Sequence, residues 1–172
     1  MGKGLSGGKI IVKTSSKSKL IADQNTIIGN TVLYGATSGK LYASGQAGER
    51  FAVRNSGSFA IVEGCGAHGC EYMTGGNAII LGAVGDNFGA GMTGGMAFVY
   101  DEKNEFENFA NPASIIWQSV ETDYWKKFLK ESIKDFESKT SSQKAKKILE
   151  NFEDELKNFK QVCPIEMLDK LD

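Results

Sequence analysis

Three side chains that can bind a metal ion or take part in catalysis lie close together, at Cys65, His68 and Cys70. Glu63 and Glu71 flank them, so the segment carries sulfur, nitrogen and oxygen ligands. The spacing differs from that of a zinc finger, however, and a complete tetrahedral set is missing. His68 is the only histidine, and no motif places a serine, cysteine or acid beside it for general base catalysis. We therefore predict no catalytic, metal-binding or cofactor-binding residue in this chain.

The stretch from Gly64 to Gly69 satisfies the GxGxxG pattern of a dinucleotide-binding loop. A true loop of this kind lies between a strand and an apolar helix. Here more glycines and more short apolar runs follow. The pattern therefore indicates tight turns and not a phosphate site.

The only two arginines are Arg50 and Arg54. An ion pair of Arg50 with Glu49 or Glu71 is a purely structural interpretation, and exposed pairs contribute little. The planar guanidinium also suits protein interfaces, so Arg54 with Asn55 is a candidate contact to a neighbouring domain. His68, in a turn between glycines, is a third candidate for such a contact.

The candidate side chains above lie within a glycine-rich repeat, whose strands and turns must position them. All 21 glycines lie in the first 95 residues, and corner glycines recur every nine or ten residues, at 29, 39, 48, 57, 66, 76, 85 and 95. Two corners give a repeat of about 20 residues that must stack on its neighbours to bury its apolar face. We predict a mainly β fold, with a right-handed parallel β-helix of glycine-cornered coils over residues 1–100. Stacking at a constant interval of about 19 residues predicts two inward ladders: Ala60, Ile79 and Phe98, and Val62, Leu81 and Tyr100.

The rest of the chain predicts a linker at 101–121 and a two-helix tail at 122–172 that packs on the β-helix. Apolar residues at helical spacing favour a first helix from Thr122 to near Ser138. A capping box at 140–143 favours a second helix that ends before Pro164. Cys163 is expected to pack against that helix. The tail would cover an end or side of the repeat, where strand edges are otherwise unpaired.

Bulk composition excludes several classes of protein. The net charge of −1 provides no field to attract nucleic acid or anionic lipid. Apolar residues nowhere run together for the roughly 18 positions that a membrane span needs. Three unevenly spaced cysteines argue against a secreted disulfide framework, so a cytoplasmic location is expected.

Longer motifs resemble the carboxy-terminal GXGXG domain of the glutamate synthase large subunit. They occupy residues 45–57, 62–76 and 87–95, and the similarity continues through the tail to a segment like 159–164. The resemblance implies an enzyme that moves the amide nitrogen of glutamine onto 2-oxoglutarate, with reducing equivalents delivered through flavin and an iron–sulfur cluster. In that family the glutaminase nucleophile, the FMN pocket and the cluster cysteines belong to other domains. The resemblance therefore implies no cofactor and no catalytic residue here.

The same resemblance implies a structural role, in which the β-helix braces the glutaminase and synthase domains of an oxidoreductase. The expected partners are those domains or subunits. The chain resembles the family's repeat domain from its middle onward, which favours a fragment, and the open end predicts a homodimer. Two alternatives are a β-helix subunit of a formylmethanofuran dehydrogenase-like oxidoreductase and a freestanding interaction module.

Overall fold

The structure is a computed structural model that describes residues 1–170. The strands of this part of the chain are β1 (Ser6–Val12), β2 (Thr26–Ile28), β3 (Ser38–Ala43), β4 (Gln46–Ala47), β5 (Ser56–Val62), β6 (Thr74–Ile80), β7 (Gly94–Tyr100), β8 (Ile115–Ser119) and β9 (Phe159–Pro164). The α-helices are α1 (Asp123–Thr140), α2 (Gln143–Glu150) and α3 (Phe152–Glu155). Short 3-10 helices occupy Ala22–Gln24, Phe106–Asn108, Leu156–Asn158 and Ile165–Lys170.

Parallel strands β1, β3, β5, β6 and β7 stack side by side as consecutive turns of a β-helix. Across β3, β5, β6 and β7, one row of paired residues contains Leu41, Ala60, Ala78 and Ala97. The coils between these strands therefore have nearly equal lengths. The first turn, from β1 to β3, is longer, as the pairing of Ile10 with Leu41 shows. Strands β2 and β4 form a second parallel sheet in that region. The predicted β-helix with C-terminal helices is confirmed.

The predicted inward ladders are wrong. In the structure, Ile61, Ile79 and Phe98 form one row, and Val62, Ile80 and Val99 form the next. An irregularity in register between Ser56 and Phe59 makes the step from β5 to β6 one residue shorter than the steps on either side. The predicted ladders used a constant interval, which places the residues of β5 one position away from their true partners. A one-residue slip in a strand moves every side chain to the opposite face, so the prediction assigned the wrong residues of β5 to the interior.

Strands β3, β5, β6 and β7 of the main sheet are buried on both faces over their C-terminal halves. Alternate residues of the strands fill the interior of the coil: Leu41, Ala60, Val62, Ala78, Ile80, Ala97 and Val99. The residues between them form an outer core with the helices: Tyr42, Ile61, Ile79 and Phe98 with Leu129, Ile133 and Phe136 of α1 and Ala145 and Ile148 of α2. Burial on two sides explains why the strands are continuous apolar runs and not alternating ones.

The first helix begins as predicted, with Thr122 as its N-cap accepting a hydrogen bond from the Trp125 amide at 3.4 Å. The predicted capping box is wrong. The N-cap of α2 is Ser142, whose Oγ accepts from the Ala145 amide at 3.0 Å. Thr140 instead lies in the last turn of α1, and its hydroxyl donates to the Phe136 carbonyl at 2.7 Å. The left-handed conformation of Ser141, which follows α1, separates the two helices.

The second predicted helix is too long. The helical segment stops at Asn158, and Phe159–Pro164 is strand β9, which pairs antiparallel with β7 on one side and β8 on the other. Strand β8 lies inside the segment 101–121, where the sequence predicted a linker. These two strands cover the edge of β7 and so close one end of the stack. Cys163 lies in the outer core, in the same apolar cluster as Ile148 of α2.

On one side of the β-helix, every second residue has a left-handed backbone conformation. We call these residues the left-handed ladder. Its members in successive coils are 31, 33 and 35; 50, 52 and 54; 68, 70 and 72; and 87, 89 and 91. Their amides donate alternately to the following and the preceding coil: Arg50 to the Ala67 carbonyl, Ala52 to that of Val32, and Arg54 to that of Glu71. The first and third members of each coil face outward, whereas the middle member is buried. The ladder therefore displays a regular array of side chains on one surface.

Candidate functional site

The sulfur, nitrogen and oxygen groups around residue 65 do not converge. Cys65 and Cys70 are thiols buried inside the coil, and His68 lies half-exposed on the outside. Burial raises the pKa of the Cys65 thiol to about 12, and it raises the pKa of Cys70 well above its ordinary value. Among the side chains that the structure describes, no three from histidine, cysteine, aspartate or glutamate form a group that could hold a metal ion.

Because the thiolate is the reactive form, the native protein should protect these two thiols from alkylation. We expect Cys65 and Cys70 to react with iodoacetamide at least about 1000-fold more slowly in the native protein than in guanidinium chloride. Peptide mass mapping after timed labelling measures both rates. Labelling of Cys70 at similar rates in the two conditions would contradict the buried placement.

The segment 64–69 is a turn of the β-helix and not a nucleotide loop. It connects to strand β6 through the left-handed ladder, and no α-helix follows it until α1 within the described part of the chain. The Gly69 position packs against the ring of Phe88 and the sulfur of Cys65. The end of the segment therefore packs against the coil interior, as expected for a turn between two coils.

A row of polar side chains on the left-handed ladder surrounds His68. Its Nδ1 lies 3.3 Å from Asn87 Nδ2 and 3.9 Å from the carboxylate of Glu71. The same carboxylate lies 3.6 Å from Nε of Arg50, which is the ion pair that the sequence suggested. Asn87 in turn accepts a hydrogen bond from Asn111 at 2.7 Å. The row links neighbouring coils and leaves His68 accessible at the surface.

Arg54 lies between two tyrosines of neighbouring coils, and we call Tyr34, Arg54 and Tyr72 the Tyr–Arg–Tyr stack. The guanidinium carbon is 5.8 Å from the centre of each ring. Lys3 extends the row, with Nζ 5.9 Å from the Tyr34 centre, and the Tyr72 ring covers Gly91. Each contact has cation–π geometry, worth roughly 0.5–1 kcal/mol at an exposed site. Tyrosine and arginine are enriched among the residues that dominate protein interfaces.

The tyrosines of this stack escaped sequence reasoning, although a signal for them exists. Tyr34 precedes Arg54 by one coil of the repeat, and Tyr72 follows it by one coil. Aligning the outward positions of the ladder, and not only the glycines, would have brought Arg54 and Tyr72 together. The same alignment places Gly35 beside Arg54, and Tyr34 lies one residue before that position.

Asn55 lies inside the repeat and is fully buried, so the structure does not place it at the surface with Arg54. Its Oδ1 accepts from the amide and the hydroxyl of Ser58, at 3.0 and 2.8 Å, and its Nδ2 donates to the Ser58 carbonyl at 2.9 Å. Asparagine side chains commonly close turns by such local bonds. All its hydrogen-bonding groups act within the corner that leads into β5.

Glu63 joins the β-helix to the start of α2. Its Oε1 accepts from Ser44 Oγ at 3.2 Å and from Ser142 Oγ, whereas its Oε2 is buried and has no hydrogen-bond partner among the described residues. Burial raises the pKa of this carboxyl more than the two serine hydroxyls lower it. The nearby charges of Asp23 and Lys144 act in opposite directions and are smaller effects.

The raised pKa has a consequence for stability. A carboxyl group with a higher pKa in the folded state favours folding below its unfolded pKa and loses that contribution as pH rises through the folded pKa. Glu63→Gln removes this titration while it keeps an acceptor for both serines. We therefore expect the melting temperature of the variant relative to the wild type to increase from pH 4 to pH 8. A difference that is constant over this range, measured by circular dichroism, would contradict the assignment.

Comparisons with known proteins agree on one family. The model of the GXGXG motif family matches residues 1–165. The glutamate synthase [NADPH] large chain of Azospirillum brasilense is 56% identical over 172 residues, which is all of this chain and 11% of that protein. The corresponding large chain of Bacillus subtilis is 50% identical over 95% of this chain and 11% of its own length. The glutamate synthase [NADH] of Schizosaccharomyces pombe is 49% identical over 96% of this chain and 8% of its own.

The chain thus spans about a tenth of the length of these relatives. Among residues 1–170, no helix is both long and apolar enough to cross a membrane.

Proposed function

Because the chain belongs to the GXGXG motif family, we propose that it is a structural domain of a glutamate synthase large chain, without catalytic residues of its own. That enzyme converts glutamine, 2-oxoglutarate and reductant to two glutamates, and the domain braces its glutaminase and FMN/iron–sulfur synthase domains. One observation supports this most directly: the whole chain aligns with a protein of which it spans only 11%. The relatives above are all glutamate synthases, which favours this function over a formylmethanofuran dehydrogenase-like subunit or a freestanding module.

The architecture suits a brace. Strands β3, β5, β6 and β7 are buried between the coil interior and the helices, and the left-handed ladder joins the same coils by hydrogen bonds outside the strands. Close packing of this kind transmits force with little deformation. FMN and the iron–sulfur cluster belong, in this proposal, to other domains of the parent enzyme.

A first experiment tests the absence of chemistry in this domain. The 172-residue chain, expressed alone, should give a folded circular dichroism spectrum, no flavin absorbance after incubation with FMN, and no glutaminase activity. Stoichiometric flavin binding or glutamine hydrolysis by the folded chain would overturn the proposal.

The domain contacts are proposed to include Arg54 and His68, because the left-handed ladder presents both on one surface. The test places alanine at the position of Arg54 in the full-length large chain, with alanine at the position of Arg50 as the matched control. Both are exposed arginines in left-handed conformation, but only Arg54 is stacked between tyrosines. We expect the Arg54 variant to keep glutaminase activity and to form less glutamate per glutamine hydrolysed. Equal coupling in both variants would exclude this contact.

The open edge of β1 is a further proposed contact. Within residues 1–170, β1 lies at the end of the sheet and pairs only with β3. An unpaired strand edge is a template for another chain. We propose that a second copy of the isolated chain pairs there, and we expect sedimentation velocity to show a dimer that dissociates on dilution. A strict monomer at all concentrations would exclude the homodimer.

The proposal includes a cytoplasmic location. Cys65 and Cys70 support it, since both are buried as thiols and not joined as a disulfide. Reducing compartments maintain cysteines in that form.

A further inference from the structure

A cleft of about 990 Å³ lies between the β-helix and the C-terminal helices. Residues of the segment 13–23 line it, together with Ser44, Glu63 and Tyr100 of the β-helix and residues of 140–148 at the end of α1 and in α2. Its volume is at the upper end of the range for small-molecule sites, which is roughly 300–1,000 Å³.

The carboxylate of Glu63 in the wall of this cleft is incompletely satisfied. The residue is 1% exposed, and both serine hydroxyls that reach it donate to Oε1. Its Oε2 is buried without a hydrogen-bond partner among the described residues. Buried polar atoms nearly always have partners, and each exception needs an explanation, such as a functional role. A charged donor would also compensate the desolvation of the carboxylate.

The charged side chains of the cleft are of both signs. Lys144 lies 4.0 Å from Glu102, so that pair is internally compensated. Glu155 also lines the cleft and accepts hydrogen bonds from Tyr100 and Asn158. Lys13, Lys147 and Asp23 line it too, and none of the three forms an ion pair with a side chain that the structure describes. The cleft thus has two uncompensated ammonium groups in addition to uncompensated carboxylates.

We propose that this cleft binds a small zwitterion that carries both a primary ammonium group and a carboxylate. The ammonium group donates to Glu63 Oε2, and the ligand carboxylate is held by Lys13 and Lys147. Hydroxyl groups that line the cleft supply neutral hydrogen bonds around the ligand: Thr14, Ser15, Ser16, Ser18 and Ser141. The proposal is independent of the structural role of the domain.

Other ligand classes fit less well. A phosphate or other pure anion would be placed beside the buried carboxylate of Glu63, which repels it. A divalent cation requires several oxygen ligands, and in the described chain no three acidic, histidine or cysteine side chains converge. A purely apolar ligand would leave the lining hydroxyl and charged groups without partners.

The first test uses the 172-residue chain and four probes of similar size. L-Norvaline and 4-aminobutyrate carry both charges, whereas n-butylamine and butyrate carry one each. Titration calorimetry should show saturable binding of at least one zwitterion, with each single-charge probe weaker by at least about tenfold. Failure of both zwitterions to bind, or equal binding of a single-charge probe, would overturn the proposal.

The second test identifies the residues. Glu63→Gln keeps the acceptor for both serines but replaces Oε2 with a donor, so it should weaken zwitterion binding by at least about tenfold. Lys147→Met changes an exposed residue of α2 that lines the cleft and should also weaken binding. Lys146→Met, on the same helix but outside the cleft, is the matched control. Wild-type affinity in both the Glu63 and Lys147 variants would refute the assignment, and the exposed Lys147 site keeps the test valid if the Glu63 variant fails to fold.

Discussion

Replacement of Gly94 by alanine should lower the free energy of unfolding by more than about 3 kcal/mol. A Cβ at this position would overlap the carbonyl oxygen of Thr74 in the preceding coil. The same relation recurs at Gly75, which faces the carbonyl of Ser56. The clash is with backbone, and strand β7 is fixed by β6 on one side and β9 on the other, so neither chain can yield cheaply.

Gly29→Ala is the matched control for this substitution. An added Cβ at Gly29 meets no atom within 4 Å, and its backbone is outside the left-handed region. Alanine there should change stability by less than about 1 kcal/mol, and in the stabilising direction, because it restricts the unfolded chain. Urea denaturation of both variants measures the difference. Equal midpoints would show that the coils are not stacked as closely as the structure requires.

Phe98→Ala should be destabilising by about 3–5 kcal/mol, through loss of the outer core and not of the coil interior. Phe98 is fully buried on β7, and its ring centre lies 5.6 Å from that of Trp125 and 6.0 Å from that of Phe128. The cavity would form between the sheet and α1, where the surrounding rings can collapse only in part.

Tyr124→Ala provides the control for this variant. Tyr124 packs edge-on against Trp125 but is 68% exposed, so its loss should cost less than about 1 kcal/mol. Thermal unfolding followed by circular dichroism compares the two variants. A loss for Phe98→Ala as small as that for Tyr124→Ala would mean that α1 does not pack on the outer face of β7.

The sequence was sufficient for the architecture because glycine spacing reports the coil directly. The register of the strands was harder to predict, since one local irregularity near Ser56 shortens a single step of the repeat. A constant interval therefore assigns the side chains of β5 to the wrong faces of the sheet. Strand β9 was hidden for a different reason. Phe152, Leu156 and Phe159 continue a helical spacing into the strand, and periodicity alone cannot show where the helix ends.

The candidate contact residues could be predicted only in part. Arg54 is a candidate by its residue type alone, and its setting depends on tyrosines contributed by the coils on either side. Asn55 was misplaced, because an asparagine next to an exposed arginine gives no sequence signal that its side chain turns inward. The unsatisfied oxygen of Glu63 follows from the way that α2 approaches the β-helix, which no local pattern encodes.

The outer core also bears on how the protein comes apart. In a simple solenoid each coil contacts only its neighbours, so coils can fray from an end one at a time. Here the apolar cluster around α1 contains Tyr42, Ile61, Ile79 and Phe98, from four successive strands of the stack. A single helix that spans several coils couples their unfolding, so the repeat should melt in one cooperative transition rather than by stepwise fraying.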